Sequence, residues 1–317
     1  MMFKIAFRSI FRNARRSLTT ALTIAVGMAA MLVFAAYALY DVYILQTAAV
    51  ERGGHLTVFS KGYFDFGSGD PSIWGIADYA DIVRLIGSDP VLARMTAVVT
   101  PVQFLGGIAE NPENSGSRTL FATGFVPADA ARMERWNEYG IGAELENTEL
   151  DANDVTSGVI GFGFARYLGL CDRLHLAGCP KPPKDIPTRG NGDVASLPHQ
   201  DFSALTGPVG ARAAVPRINL MAATSGGAPN IVAMKVGRVE KQSGKEMDDG
   251  YVAMNLALAQ QLVYGRGEHK ATGIILQLHR TEDIPIARTR LAALFAAKIS
   301  ISKCATIRKS TPITARR

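Results

Sequence analysis

Three cysteines in 317 residues are too few to build a disulfide scaffold. The five histidines include no HExxH zinc helix. No GxxxxGK[ST] phosphate loop occurs, so the chain is not expected to hydrolyse ATP by itself; Gly67-Ser68-Gly69-Asp70 is glycine-rich but lacks the lysine. There is no GxSxG nucleophile elbow, and Ser225-Gly226-Gly227 comes nearest without the leading glycine. Glu144, Glu146, Glu149, Asp151 and Asp154 crowd together, but as a solvated loop rather than an acid–base pair. From these absences the protein is expected not to be an enzyme, with no catalytic, cofactor-binding or metal-ligating residue. Acid is also missing at both ends. Lys4, Arg8, Arg12, Arg15 and Arg16 precede the first carboxylate, and after Asp283 come Arg288, Arg290, Lys298, Lys303, Arg308, Lys309, Arg316 and Arg317 with no acid at all. The net charge of +6 therefore belongs to two ends, a poor match to the basic, aromatic-studded face of a nucleic-acid binder.

What the chain does contain is an uncharged run from Ser17 to Tyr40, rich in leucine, methionine, valine and alanine. At helical rise it reaches about 36 Å, more than the roughly 30 Å hydrocarbon core of a bilayer. The basic residues before it and Asp41 after it set the N-terminus inside and the bulk of the chain outside. A cleaved signal peptide would carry a shorter apolar region, roughly 7–15 residues; a soluble buried helix would show a polar face. Ahead of the run, Phe3, Phe7, Ile10 and Phe11 fall near one helical face and Lys4, Arg8, Arg12 and Arg15 near another. That segment either lies against anionic lipid or only sets topology.

With 48% hydrophobic and 20% charged residues, the remainder should fold around a core. Strands are expected at His55–Ser60, Met95–Leu105 (bent or broken at Pro101), Arg118–Thr123, Val159–Ile160, Ile231–Val239 and Gly273–Leu278. Helices are expected at Ala77–Ile86, from Pro127, through Arg166 and Leu168, at Asn255–Val263 with Asn255 as N-cap, and at Ile284–Ala297. Asp249-Gly250 marks a turn. Gly161 and Gly163 do not make a dinucleotide fingerprint, because Arg166 stands where the third glycine belongs; they read as a tight turn. Between Gly178 and Pro216, Pro180, Pro182, Pro183, Pro187, Pro198, Pro208 and Pro216 indicate a loop-rich excursion.

Cys171, His175 and Cys179 are spaced by four. Three readings stand: a Cys171–Cys179 disulfide, two free thiols, or three ligands of a metal completed from elsewhere. Arg173–Ala177 alternates like a strand, which would carry the three side chains apart.

Ala6–Thr19 (AFRSIFRNARRSLT) resembles the start of permease subunits of the MacB, LolC-LolE and FtsX class of ABC transporters. Ser157–Leu170 (SGVIGFGFARYLGL) is similar to that family's V-x-x-G-x-x-x-A-x-x-L-G-L segment, although Cys171 replaces the usual following glycine. Val236–Leu262 is similar to its late strand, turn and helix. The resemblance implies an α+β fold: one N-terminal transmembrane helix, then a mixed α/β periplasmic domain with an inserted subdomain. It implies a bacterial inner-membrane location with a cytoplasmic N-terminus. The expected organisation is a basic cytoplasmic segment (1–16), the membrane helix (17–40), a MacB-like periplasmic domain (41–297) containing the excursion at 178–216, and an aberrant basic tail (298–317). Implied partners are a separate ABC-type ATPase that binds the ATP, a second permease copy, a periplasmic adaptor or lipoprotein, and membrane lipid, but no nucleic acid. The family acts in lipoprotein release, peptide or macrolide export, or transmembrane signalling. Family members carry three further membrane helices; here no apolar stretch of spanning length follows Tyr40. The sequence therefore reads as a C-terminally truncated permease-like subunit. The tail at Ile299–Arg317 then reads as a frameshift, since a one-base shift turns Ile299–Thr306 into an amphipathic segment. The rival reading is a single-pass periplasmic binding or sensing protein without ATPase coupling.

Overall fold

The computed structural model describes residues 14–67, 71–114, 116–141, 150–179, 215–242, 244–265, 269–297 and the backbone of 304–309. Ala14–Gly53 is one unbroken helix, α1. Alanine, leucine and methionine favour it, and no proline interrupts it. Its threonines turn back on their own backbone: Thr20 Oγ1 donates to Arg16 O at 3.0 Å and Thr23 Oγ1 to Thr19 O at 2.9 Å. Neither hydroxyl is then presented unpaired to apolar surroundings. Large side chains from Leu18 to Leu39 stand exposed. Among the described residues, α1 is the one helix long and apolar enough to cross a membrane. It outruns the expected span of 17–40 and continues through Asp41 to Gly53, burying Thr47 and Val50 against the domain. Gly54 ends it at φ +63, donating its N–H to Val50 O at 2.9 Å. A Cβ there would meet Ile275 Cγ2 at 2.5 Å, so both the backbone angle and the space require glycine.

The domain contains β1 (Leu56–Ser60), α2 (Tyr79–Ser88), α3 (Leu92–Met95), β2 (Thr96–Asn111), β3 (Gly116–Phe125), α4 (Pro127–Met133), β4 (Ser157–Gly161), α5 (Phe162–Tyr167), β5 (Arg217–Ala223), β6 (Pro229–Glu240), α6 (Lys245–Asp248), β7 (Tyr251–Asn255), α7 (Leu256–Tyr264), β8 (Gly273–Leu278), α8 (Ile284–Ala297) and β9 (Cys304–Lys309). The strands form a nine-stranded sheet in the order β3-β7-β4-β6-β5-β2-β8-β1-β9, with β3 also paired to β2. That extra pairing closes β2, β3, β7, β4, β6 and β5 into a ring. Closure leaves the ring without free edges. Its core gathers Leu105, Leu120, Ile160, Phe164, Ile218, Met234, Val252 and Leu262. The other strands make an open antiparallel sheet, β2-β8-β1-β9. Ile82 and Ile86 of α2 and Leu291 and Phe295 of α8 pack with its Leu56, Leu276 and Leu278. Val98, Val102, Ile275 and Met133 of α4 form a separate, smaller cluster. With helices on both sides, β8 is buried along its whole length, which explains its nearly continuous apolar sequence GIILQL.

The long β2 belongs to both halves. Thr96–Val102 pairs with β8, and Gln103–Asn111 pairs with β3. It runs through Pro101 as one strand, so of the two expected alternatives it is not broken there. Pro101 lies opposite Ile274 of β8, before the β3 pairing begins, so β2 has a single neighbour at that point. Asn255 caps α7 as expected, its Oδ1 accepting from Ala257 N at 3.0 Å. Arg173–Ala177 is not the strand its alternation suggested. Leu174 N donates to Leu170 O and Leu176 N to Cys171 O, and His175 takes φ 52, so the segment is a chain of turns. Most of the expected excursion, 180–214, lies outside the described residues. Within the expected basic tail, Cys304–Lys309 pairs antiparallel with β1, Thr57 opposite Arg308. Backbone pairing onto an open sheet edge needs only an extended segment, not an apolar pattern.

Candidate functional site at the helix–domain junction

The last three turns of α1 are held by both halves of the domain. On the ring side, Arg52 donates through Nη2 to Glu240 Oε1 and through Nη1 to Gln242 Oε1, and its guanidinium lies 5.8 Å from the centre of the Tyr251 ring. Glu240 is 1% exposed and Arg52 33%. A carboxylate so deeply buried is tolerable only while it is paired. On the open-sheet side, Gln277 projects from near the end of β8. Its Nε2 donates to Val50 O at 3.2 Å and to Met133 O at 2.8 Å, tying α1 and α4 to one strand. His55 N donates to Leu276 O at 2.8 Å, so the chain passes from helix into sheet within two residues.

Aromatic and hydroxyl side chains extend the contact down the helix. The ring of Tyr43 lies 4.6 Å from that of Tyr139, Tyr139 meets Trp136 edge-on at 5.8 Å, and Trp136 meets His55 edge-on at 5.1 Å. Trp136 Nε1 donates to Leu278 O at 2.9 Å. His55 Nδ1 accepts from Leu278 N at 2.9 Å, so the ring proton sits on Nε2 and points at Thr281 Oγ1, 3.3 Å away. The Thr281 hydroxyl accepts from Tyr139 at 3.1 Å and donates to Glu138 Oε2 at 2.6 Å.

One carboxyl is out of balance. Glu51, beside Arg52, lines a small cleft with Phe125, Ala130, Met133, Glu134 and Tyr251. Burial, and then the charge of Glu134, raise its pKa from the usual 4.5 to about 7, against the pull of Arg52. The junction thus holds one strongly paired charge and one that is ionised only in part near neutral pH. It joins the end of the helix to both halves of the domain.

The residues singled out from sequence lie elsewhere. Arg15 and Arg16 are exposed at the opposite end of α1; Lys4, Arg8 and Arg12 lie outside the described residues. Cys171 and Cys179 are joined in a disulfide with Cα atoms 6.0 Å apart. The turns it closes pack Leu174 and Leu176 against the ring core, and Arg173 pairs with Glu113. Gly161 and Gly163 open α5, and the N–H groups of Phe162 and Gly163, which a phosphate would need, already donate to the Asp248 carboxylate at 3.0 and 2.7 Å. Sequence reasoning missed Glu51, Arg52, His55, Trp136, Tyr139, Glu240 and Gln277. Two signals were present: Glu51-Arg52 directly before Gly53-Gly54, and a lone amide inside GIILQL.

No known protein-family profile matches the chain, and no curated protein matches it in sequence. Among solved structures, the extracellular domain of the noncanonic ABC-type transporter YknZ from Gram-positive bacteria superposes with a TM-score of 0.39 at 12% identity, over 77% of this chain and 94% of that one. A superposition at this level does not establish a shared fold.

Proposed function

We propose that the chain is a permease-like subunit of a MacB/FtsX-type ABC system, with α1 as its anchor in the bacterial inner membrane and the mixed α/β domain on the periplasmic side. The observation that carries this reading is the continuity of α1: one helix runs from the apolar, uncharged run into a junction that grips both the ring and the open sheet. A passive tether needs no such grip; a part that relays movement across a membrane does. The opening AFRSIFRNARRSLT and the order of the later motifs support the same class. Work would come from a separate ATPase that binds the ATP, acting on a dimer of permease chains, with a lipoprotein, peptide or adaptor on the far side. The chain itself catalyses nothing.

Affinity purification of the full chain from its native membranes in mild detergent tests this. An ABC-type ATPase should co-purify in stoichiometric amount, and its ATP hydrolysis should change when α1 is severed from the domain by a helix-breaking insertion near Asp41. A chain that purifies alone, with no such ATPase in any detergent, would favour the binding or sensing alternative. The disulfide provides an independent check of sidedness. Protein isolated without reductant should titrate two fewer thiols than reduced protein; three free thiols would put the domain on the reducing side of the membrane.

A further inference from the structure

The contacts along α1 give the domain a definite height above the membrane. Val50 and Met133 share the amide of Gln277, so the end of α4 lies level with Val50. From there the chain runs through Trp136 to Tyr139, whose ring lies against Tyr43. Those two levels are about 10 Å apart along the helix. The segment after α4 therefore descends α1, back toward the apolar run. Tyr43 stands only about 4.5 Å beyond Tyr40, the last residue of that run. The polar headgroup layer on each side of a bilayer is roughly 5–8 Å deep. With the run of about 36 Å centred on a core of roughly 30 Å, Tyr43 stands about 7.5 Å beyond the hydrocarbon, so a turn at its level meets the headgroup layer.

We propose that the turn Glu134–Ile141, with the adjoining turn at Arg280–Asp283, rests in the headgroup layer, so that this face of the domain binds a phospholipid surface. The proposal rests on the reading that Ser17–Tyr40 crosses a membrane. The second turn joins the first through Thr281, which is hydrogen-bonded to Glu138 and Tyr139. The surface has the composition such a layer requires. Tyr139, packed on Tyr43 and hydrogen-bonded to Thr281, remains partly exposed, and tyrosine collects at membrane interfaces. Arg135, Asn137 and Glu138 are exposed, and Arg280 pairs with Glu282 at 2.7 Å on a largely exposed site. Both signs of charge side by side suit a zwitterionic headgroup better than a purely anionic one. Ile286, in the first turn of α8 just past Asp283, is 53% exposed. The opposite end of the open sheet points away: β8 runs from Gly273 toward the Thr281 turn, and Gly273 pairs with Phe59, so Lys61 lies at the far end.

Spin labels on the full chain in phosphatidylcholine vesicles test the proposal. Single cysteines are introduced by Asn137→Cys or Arg280→Cys, with Cys304→Ser to leave one reactive thiol. Leu32→Cys marks the hydrocarbon and Lys61→Cys the distal end. The readout is nitroxide collision with oxygen relative to a water-soluble nickel chelate. At both Asn137 and Arg280 the ratio should fall between the two markers, several-fold above that at Lys61. Ratios equal to that of Lys61, with Leu32 still in hydrocarbon, would overturn the proposal and leave the anchor intact. Shielding from both reagents at the two sites would show protein in place of lipid and overturn it as well. A water-exposed Leu32 label would remove the membrane reading and this proposal with it.

Discussion

The two parts of α1 share one regular backbone and meet opposite surroundings. From Leu18 to Leu39 the large side chains are exposed and the described domain does not cover them. From Asp41 to Gly53 the same helix is fastened by Tyr139, Gln277, Glu240, Gln242 and the turn at Gly54. The first part is defined by composition alone, long and apolar enough to cross a membrane. The second is defined by particular partners far away in the chain. A substitution in one part should therefore follow a different rule from a substitution in the other.

The largest effect should come from Arg52. Arg52→Met removes the guanidinium that holds Glu240 and Gln242, and breaking such a pair costs on the order of 3 kcal/mol, the low end of the usual range because Arg52 is partly solvated. Leu32→Ala, in the exposed part, should leave unfolding of the domain in detergent within about 0.5 kcal/mol of wild type. Adding Glu240→Gln to Arg52→Met should recover part of the loss, since a buried amide costs less to desolvate than a buried carboxylate. Equal stability of R52M and L32A in denaturant unfolding would erase the distinction between the two parts.

A smaller effect is expected at Gln277. Gln277→Leu suits the apolar pattern of β8 but removes the donor shared by Val50 O and Met133 O. Val50 O keeps the bond from Gly54 N and Met133 O keeps the bond from Trp136 N. Neither carbonyl is left bare, so the loss is that of the amide's own two bonds, about 1.5 kcal/mol. Hydrogen exchange should show it as faster opening at the end of α1 and along α4, with the ring strands unaffected. Loss of protection spread evenly over the ring would mean that Gln277 acts on the whole core rather than on the junction.

How far the sequence revealed this architecture follows the same division. Elements set by local chemistry were legible: the apolar run, Asn255 as a cap, Pro127 at the start of α4, and the continuous apolar strand Gly273–Leu278. The closing of the ring was not, because it depends on β2 changing partners halfway along, from β8 to β3. Arg217–Ala223 and Tyr251–Asn255 went unread as strands, the first following a proline-rich stretch and the second merging with the helix after it. The junction was hidden for a related reason. Arg52 and Glu240 are 188 positions apart, and nothing near either one announces the other. Arg173–Ala177 shows the converse, an alternating pattern with no strand beside it among the described residues, which folds into turns instead.

The smallest expected effect is also the most diagnostic, because it has a sign. Glu51, raised from 4.5 to about 7 chiefly by burial, holds its proton more tightly in the folded chain than in the unfolded one. Its contribution to stability is therefore complete below about pH 4.5 and is lost as pH rises toward 7. Asp89 behaves in the opposite way. Hydrogen bonds from Arg290 foremost, and from the N–H groups of Leu92 and Val91, hold it near 2 against its usual 3.8. Its contribution is complete above about pH 4 and is lost as pH falls toward 2. The two windows barely touch, so they can be separated in a single pH series. Glu51→Gln should leave the acid limb unchanged and flatten the slope between pH 4.5 and 7. At pH 8 the variant should be the more stable by about 1 kcal/mol, a figure kept low because Glu51 is only half-buried and its charge is partly screened. Urea unfolding at pH 3, 5 and 8 measures all three points. If wild type and E51Q show the same slope between pH 5 and 8, Glu51 titrates like an exposed carboxyl, and the end of α1 stands freer of the domain than its contacts with Glu240 and Gln277 imply.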